Sequence, residues 1–274
     1  MLEIKVLKVR HYGEREARKL IPHIENTDIY SEENAGATEE MARAHEKNWQ
    51  WIINSSGWSF DQFVRNREAA QKAQRRSQDD GQYALFQSSY LFAEKVPIYV
   101  VERFSQAERE KIMASHKLED LAAHKSVEHL GEGRVDQYIE AYKRFLQLGK
   151  EKDEVRDRHI AKNLECAEAY LRGIYPSLSK KEPLRLTVSL GSLHSPEKYT
   201  SIPIELCSLV GDGGAHHTID LIALMNEQDI PVETLDHHIL VYGAEKILSM
   251  KGIKIDLEKA MQMSYEELSR LLAK

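Results

Sequence analysis

Two histidines and several carboxylates stand where strands are expected to end. His11 follows the alternating segment Leu2–Arg10, and His194 follows Leu184–Leu190 in Gly191-Ser192-Leu193-His194. Glu32-Glu33 and Glu102 close two further strand-like runs. In open parallel sheets ligands bind outside the C-terminal ends of the strands, so two imidazoles and up to three carboxylates can converge on one rim. Such a set suits a divalent metal with open coordination positions or a metal-free acid/base pair. Taken singly, each residue is equally at home facing solvent or capping the next helix. The case for chemistry rests on four strand ends agreeing.

The remaining candidates are less specific. Gly211-Asp212-Gly213-Gly214-Ala215-His216-His217 follows a strand-like run and leads into a helical one, which can expose backbone N–H groups to an anion. It lacks the Lys-Ser/Thr of a P-loop and the spacing of a dinucleotide fingerprint, and a plain strand-to-helix connection fits as well. Asp236-His237-His238 follows another apolar run, where Asp236 suits a helix cap and a metal role for the histidines is the alternative. No HExxH or GxSxG occurs, and neither cysteine nor any serine has a histidine placed locally for nucleophilic catalysis.

The elements that must hold these residues read as α/β. Leu2–Arg10 alternates with period two, Gly13–Asn26 suits a short helix, and Asp28–Glu33 is a second strand, which together make a βαβ unit. Val96–Val101 is a third strand, too short and β-branched for an independent helix. Leu184–Leu190, Pro203–Leu209 and Ile230–Leu235 read as strands, with helices at Ala215–Gln228, Ile239–Met250 and Leu257–Leu272. Residues 35–93 and 105–170 are polar and helix-forming, with breaks expected at Asn54–Gly57, Asp79–Gly81 and Gly131–Gly133, and near Gly149. The expected architecture is a single α/β domain over 1–274: a mostly parallel sheet from two βα halves, with a helical insertion at about 35–95 and 105–170.

Composition removes several classes. The 274 residues are 42% hydrophobic and 30% charged with 14 Gly and 7 Pro, which excludes collagen-like and disordered chains. Lys and Arg number 38 against 44 Asp and Glu, a net charge of −6 with no concentrated basic stretch, so no nucleic-acid partner is expected. The first residues lack the apolar core of a signal peptide, and no window approaches ~18 consecutive apolar residues. A cytoplasmic protein without membrane insertion is the expectation. Cys166 and Cys207 lack CxxC spacing and read as buried thiols. Trp49, Trp51, Trp58 and Phe60 cluster in sequence; Trp51 and Trp58, seven apart, fit one buried helix face, or the group forms a contact surface for a protein partner or a homo-oligomer.

In order and spacing over about residues 1–210, the pattern resembles the TraB/PrgY, Tiki, GumN, ChaN and erythromycin-esterase-like superfamily. Gly191-Ser192-Leu193-His194 is similar to its second GxxH, and Arg156-Asp157-Arg158-His159-Ile160-Ala161 to its Arg-Asp/Asn helix. His11 is similar to the first GxxH histidine, with Lys8 where the glycine stands. Glu33, five residues after Asp28, matches the family's Asp-to-Glu spacing better than Glu32.

The resemblance implies an α/β core under a helical cover and, in one branch, Mn²⁺- or Co²⁺-dependent peptidase activity; other branches bind haem or act on macrolides. The leading expectation is therefore a metal-assisted hydrolase acting on a small molecule or a peptide. His11, Glu33 and His194 would hold or flank a Mn²⁺, Co²⁺ or Zn²⁺ ion that activates water. Arg156 would stabilise the oxyanion, with Glu32 or Glu102 as general base. The alternative is a non-catalytic small-molecule or anion-binding regulatory module, favoured by Lys8, whose ammonium attracts an anion and repels a cation.

Overall fold

The computed structural model of the chain describes all residues except 10–12, 34–35, 74–77, 192, 210–224, 226–229, 251–256 and 274. It divides into two compact units, Met1–Arg109 with Arg156–Gly211, and Glu110–Val155 with Asp212–Lys274.

The first unit holds the sheet. Strands β1 (Leu2–Val9), β2 (Ile29–Glu32), β3 (Ile98–Tyr99), β4 (Leu184–Gly191) and β5 (Ile204–Ser208) are arranged β3-β2-β4-β1-β5, and every pairing is parallel. The fold class is α/β. The strand from the second half of the chain, β4, lies between the two from the first, β1 and β2. Val9 pairs with Gly191 and Glu32 with Ser189, so β1 and β4 end level and β2 ends two residues earlier. From β2 the chain moves outward to β3, and from β4 it moves to β5 at the opposite edge. The β2/β4 seam is therefore the place where connections diverge and a crevice opens in a doubly wound sheet.

Period-two alternation assigns the faces. Ile4, Val6, Ile29, Tyr99, Leu184, Leu186, Val188 and Leu190 share one core with Ile160, Leu164 and Leu171. These last three come from the end of helix α7 (Val135–Glu165) and from α8 (Ala167–Ile174). Leu7, Val9, Tyr30 and Ile98 point the other way, into a core that includes Ala17, Ile24, Trp49, Phe63 and Leu91. Those residues belong to α1 (Gly13–Arg18), α2 (Ile21–Ile24), α3 (Glu39–Asn54), α4 (Phe60–Ala73) and α5 (Gln78–Ala93). The result is a three-layer helix–sheet–helix unit.

Several expectations need correction. Gly13–Asn26 is two short helices because Pro22 has no N–H to bond a carbonyl one turn back. Asp79–Gly81 does not interrupt a helix; it forms the first turn of α5, where acidic residues complement the helix dipole. Gly149 leaves α7 unbroken: one internal glycine costs about 1 kcal/mol relative to alanine, and its neighbours Leu146 and Leu148 are buried. Ile230–Leu235 is not a strand. Val232–Thr234 form a single 3₁₀ turn after Pro231, which leads into a helix. Leu257–Leu272 is two helices, separated where Ser264 and Glu267 make a reciprocal capping box.

Cys166 is exposed at the junction of α7 and α8, and Cys207 is half-buried, so neither is a buried thiol. The tryptophans also separate. Trp49 is buried and donates to the carbonyl of Val96 at 2.8 Å, whereas Trp51 is 49% exposed. Trp58 lies beyond the end of α3, past the turn at Gly57 (φ +67°), and meets Trp51 edge-on at 5.9 Å. The two do not share a buried helix face.

In the second unit, α6 (Gln106–Gly131) meets α7 across a turn at Gly133 (φ +66°). There α9 (Asp236–Met250), α10 (Leu257–Gln262) and α11 (Tyr265–Leu272) follow. Tyr138 of α7 donates to the carbonyl of Ile239 at 3.0 Å. The expected helix at Ala215–Gln228 lies almost wholly outside the described residues. Among the described residues no helix is long and apolar enough to cross a membrane.

Candidate functional site

At the β2/β4 seam five side chains form one hydrogen-bonded cluster. Glu33, the residue after β2, has the strand parity of Ile29 and Ser31 and so lies on the face covered by α7. Its Oε1 accepts from Arg156 Nη2 at 2.5 Å and faces His194 Nε2 at 3.2 Å, while Oε2 accepts the Gly191 N–H at 2.7 Å. Arg156 Nε donates to Glu102 Oε1 at 2.8 Å. His194 Nδ1 meets Asp157 Oδ1 at 2.6 Å, and Asp157 Oδ2 accepts the Ser195 N–H at 2.8 Å.

The helix explains how one segment supplies both supports. Ile160 and Leu164 turn toward the sheet and fix the rotation of α7. Arg156, one turn before Ile160, then lies over the strand ends, with Asp157 beside it. The guanidinium serves two carboxylates at once. Its two arms divide between Glu33 and Glu102, which a lysine ammonium cannot reproduce in the same plane.

Three carboxylates face two cations here, and His194 carries charge for a reason visible in its partners. Both ring nitrogens face carboxylate oxygens, which only accept, so both carry hydrogen. Burial alone pulls the imidazolium pKa down. The charge of Glu33 and the hydrogen bonds to Asp157 and Glu33 more than offset this and, against a smaller opposing effect of Arg156, raise it to about 10. Of the five side chains, Glu33 is the most open at 18%, whereas Arg156 is at 8%, Asp157 at 5%, His194 at 2% and Glu102 at 0%. A molecule entering from solvent meets Glu33 first.

The expected residues are placed unequally. Glu33, His194, Arg156 and Glu102 come together. Glu102, considered as a base, is fully enclosed and binds Arg156, so it orients rather than meets solvent. Glu32 ends β2 opposite Ser189, and its side chain lies outside the described atoms. His11, His216 and His217 lie outside the described residues. His237 donates from Nε2 to the carbonyl of Met261 at 3.1 Å, and His238 shares the start of α9 with it. Lys8 Nζ is 3.4 Å from Ser195 Oγ and 3.4 Å from Glu197 Oε1.

The resemblance implies a divalent ion, which this donor set would have to ligate. Glu33 already has both oxygens engaged, His194 has no free lone pair, and Arg156 is a competing cation. No group of three or more His, Cys, Asp or Glu among the described residues is placed to hold a metal. The described donors alone do not fit one.

Sequence reasoning left two members unassigned. Asp157 was visible as the neighbour of Arg156, but adjacency on a helix does not tell which residue faces a histidine 37 positions away. The Gly191 N–H, a backbone group, leaves no mark on residue type. Comparison with protein-family models, with curated proteins and with solved structures finds no match for this chain.

Proposed function

We infer that the chain is a hydrolase of ester or peptide carbonyl bonds, with Glu33 as the carboxylate presented to substrate. The observation that carries this reading is the convergence of Glu33, His194 and Arg156 where the connections diverge, with Glu33 the most exposed of the cluster.

In this reading Glu33 takes a proton from the attacking water and returns it to the leaving oxygen or nitrogen: the acyl C–O or C–N bond breaks, a C–O bond to the water oxygen forms and no proton is lost. His194, held by Asp157, and Arg156, held by Glu102, keep the carboxylate in one orientation before substrate arrives. Arg156 also offsets negative charge developing on the carbonyl oxygen. Activated esters and peptide anilides offered to the purified protein test this: turnover that is lost in Glu33→Gln supports it.

A metal-assisted form of the same reaction requires His194 to give up the Nε2 proton it directs at Glu33, and His11 to complete a ligand set with both. Its support is that Asp157 holds His194 as carboxylates hold metal-ligating histidines. Stoichiometric Mn²⁺, Co²⁺ or Zn²⁺ uptake lost in His11→Ala would favour that form. The regulatory-module reading draws on Lys8 beside Ser195. It is favoured instead if phosphate or citrate raises the melting temperature and no ester or anilide is turned over.

A further inference from the structure

The backbone that carries Glu102 belongs to no strand ladder. β3 ends at Tyr99; past it, side chains bond the backbone of Val100, Val101 and Arg103, and only at Phe104 does the backbone pair again, with Ala37 and Glu39. Glu46 Oε1 accepts the Val100 N–H at 2.8 Å, Ser31 Oγ accepts the Val101 N–H at 3.3 Å, and Arg103 Nε returns to the carbonyl of Val100 at 2.6 Å. A segment without ladder bonds takes its geometry from whatever replaces them.

The replacement on the α7 side is Asn163. Its Nδ2 donates to the carbonyl of Val101 at 2.8 Å and to that of Arg103 at 3.4 Å, the residues on either side of Glu102. Asn163 lies two helical turns after Arg156, so one face of α7 holds both the carboxylate, through Arg156, and the backbone from which it projects. Its own main chain is fixed from outside, since Tyr99 OH donates to the Asn163 carbonyl at 3.1 Å.

We propose that Asn163 is a positioning residue for the site: by bridging the carbonyls that flank Glu102 it aims Glu102 at Arg156, and through Arg156 it sets where Glu33 sits. Its described side-chain hydrogen bonds go to the Val101 and Arg103 carbonyls and not to Glu33. Only the catalytic consequence rests on the hydrolase reading; the aiming of Arg156 is a property of the fold.

The test reads Arg156 directly. In protein labelled with ¹⁵N-arginine, the Arg156 Nε–H signal, assigned by its loss in Arg156→Lys, exchanges slowly with solvent because it is buried against Glu102. Asn163→Ala is expected to speed that exchange at least tenfold. Tyr99→Phe, which removes the hydrogen bond to the Asn163 backbone but leaves its side chain in place, should leave exchange within twofold of wild type. Asn163→Ser serves in the same measurement if Asn163→Ala does not fold. Exchange within twofold of wild type in the Asn163 variant, or an equal rise in Tyr99→Phe, overturns the proposal. If the wild type turns over an activated ester, the Asn163 variant should lower kcat at least tenfold with KM unchanged. Absence of turnover in the wild type counts against the hydrolase reading and leaves the exchange result to decide this one.

Discussion

Arg156 Nη2 donates to Glu33 Oε1 at 2.5 Å although the two residues are 123 positions apart in the sequence. The contact joins the helical insertion to the first half of the sheet at the seam where His194 arrives from the second half. A surface arginine on a charged helix would make at most an i,i+4 pair of ~0.3–0.5 kcal/mol. Arg156 instead binds two carboxylates, one of them fully enclosed.

Removing that cation should therefore be costly. Arg156→Met removes the cation from its buried ion pair with Glu102, and truncating one member of such a pair costs about 3–5 kcal/mol. Urea unfolding followed by far-UV circular dichroism measures this directly. A loss under 1 kcal/mol would mean that Glu102 finds another donor. Arg156→Lys keeps the charge but cannot serve both carboxylates in plane, and a drop in turnover of at least tenfold with an unchanged far-UV spectrum is expected.

His194 gives stability a pH dependence of defined sign. Its folded-state pKa of about 10 lies above the unfolded value of 6.5, so the native state holds the proton more tightly. The contribution is fully present below pH 6.5 and is lost as pH rises through about 10. Lysines and tyrosines also titrate near the upper end, so the informative quantity is a difference. Between pH 7 and 9 the wild type should lose more stability than His194→Gln in matched urea titrations. Parallel slopes would show that His194 is neutral in the folded protein.

How much of this was legible in the sequence depends on the range of the interaction. The strands were visible because period-two patterning is local. Ile4, Val6, Leu7 and Val9 sort themselves between two faces without reference to the rest of the chain. The breaks at Gly57 and Gly133 were legible because positive φ selects glycine. Gly149 and Asp79–Gly81 misled because the same residues are tolerated inside a long helix or favoured in a first turn. In Ile230–Leu235 β-branched composition outweighed Pro231, whose missing N–H argued against a strand. At the site, residue types at strand ends pointed to Glu33, Glu102 and His194. The partner of each did not follow, because pairing across 123 or 37 positions depends on the rotation of α7, which only packing of Ile160 and Leu164 settles.

That rotation can be tested on its own. Leu164 is buried in the core between α7 and the sheet, and Leu164→Ala should cost about 2–5 kcal/mol through lost transfer energy and the cavity left behind. Calorimetry against Val127→Ala, a substitution at a 66% exposed helix position expected within about 0.5 kcal/mol of wild type, checks the contrast. Comparable losses in the two variants would contradict the assigned faces.

The central claim, that Glu33 is the working carboxylate and the other four side chains serve it, is tested most directly by the rate of ester or anilide hydrolysis in Glu33→Gln. Glutamine keeps the size and can still accept from Arg156, but it cannot take a proton from water. The account predicts that kcat falls at least about 10²-fold, the usual scale for a positioned general base, while the protein remains folded. A glutamine variant that turns over the same substrate within twofold of the wild-type rate would contradict it.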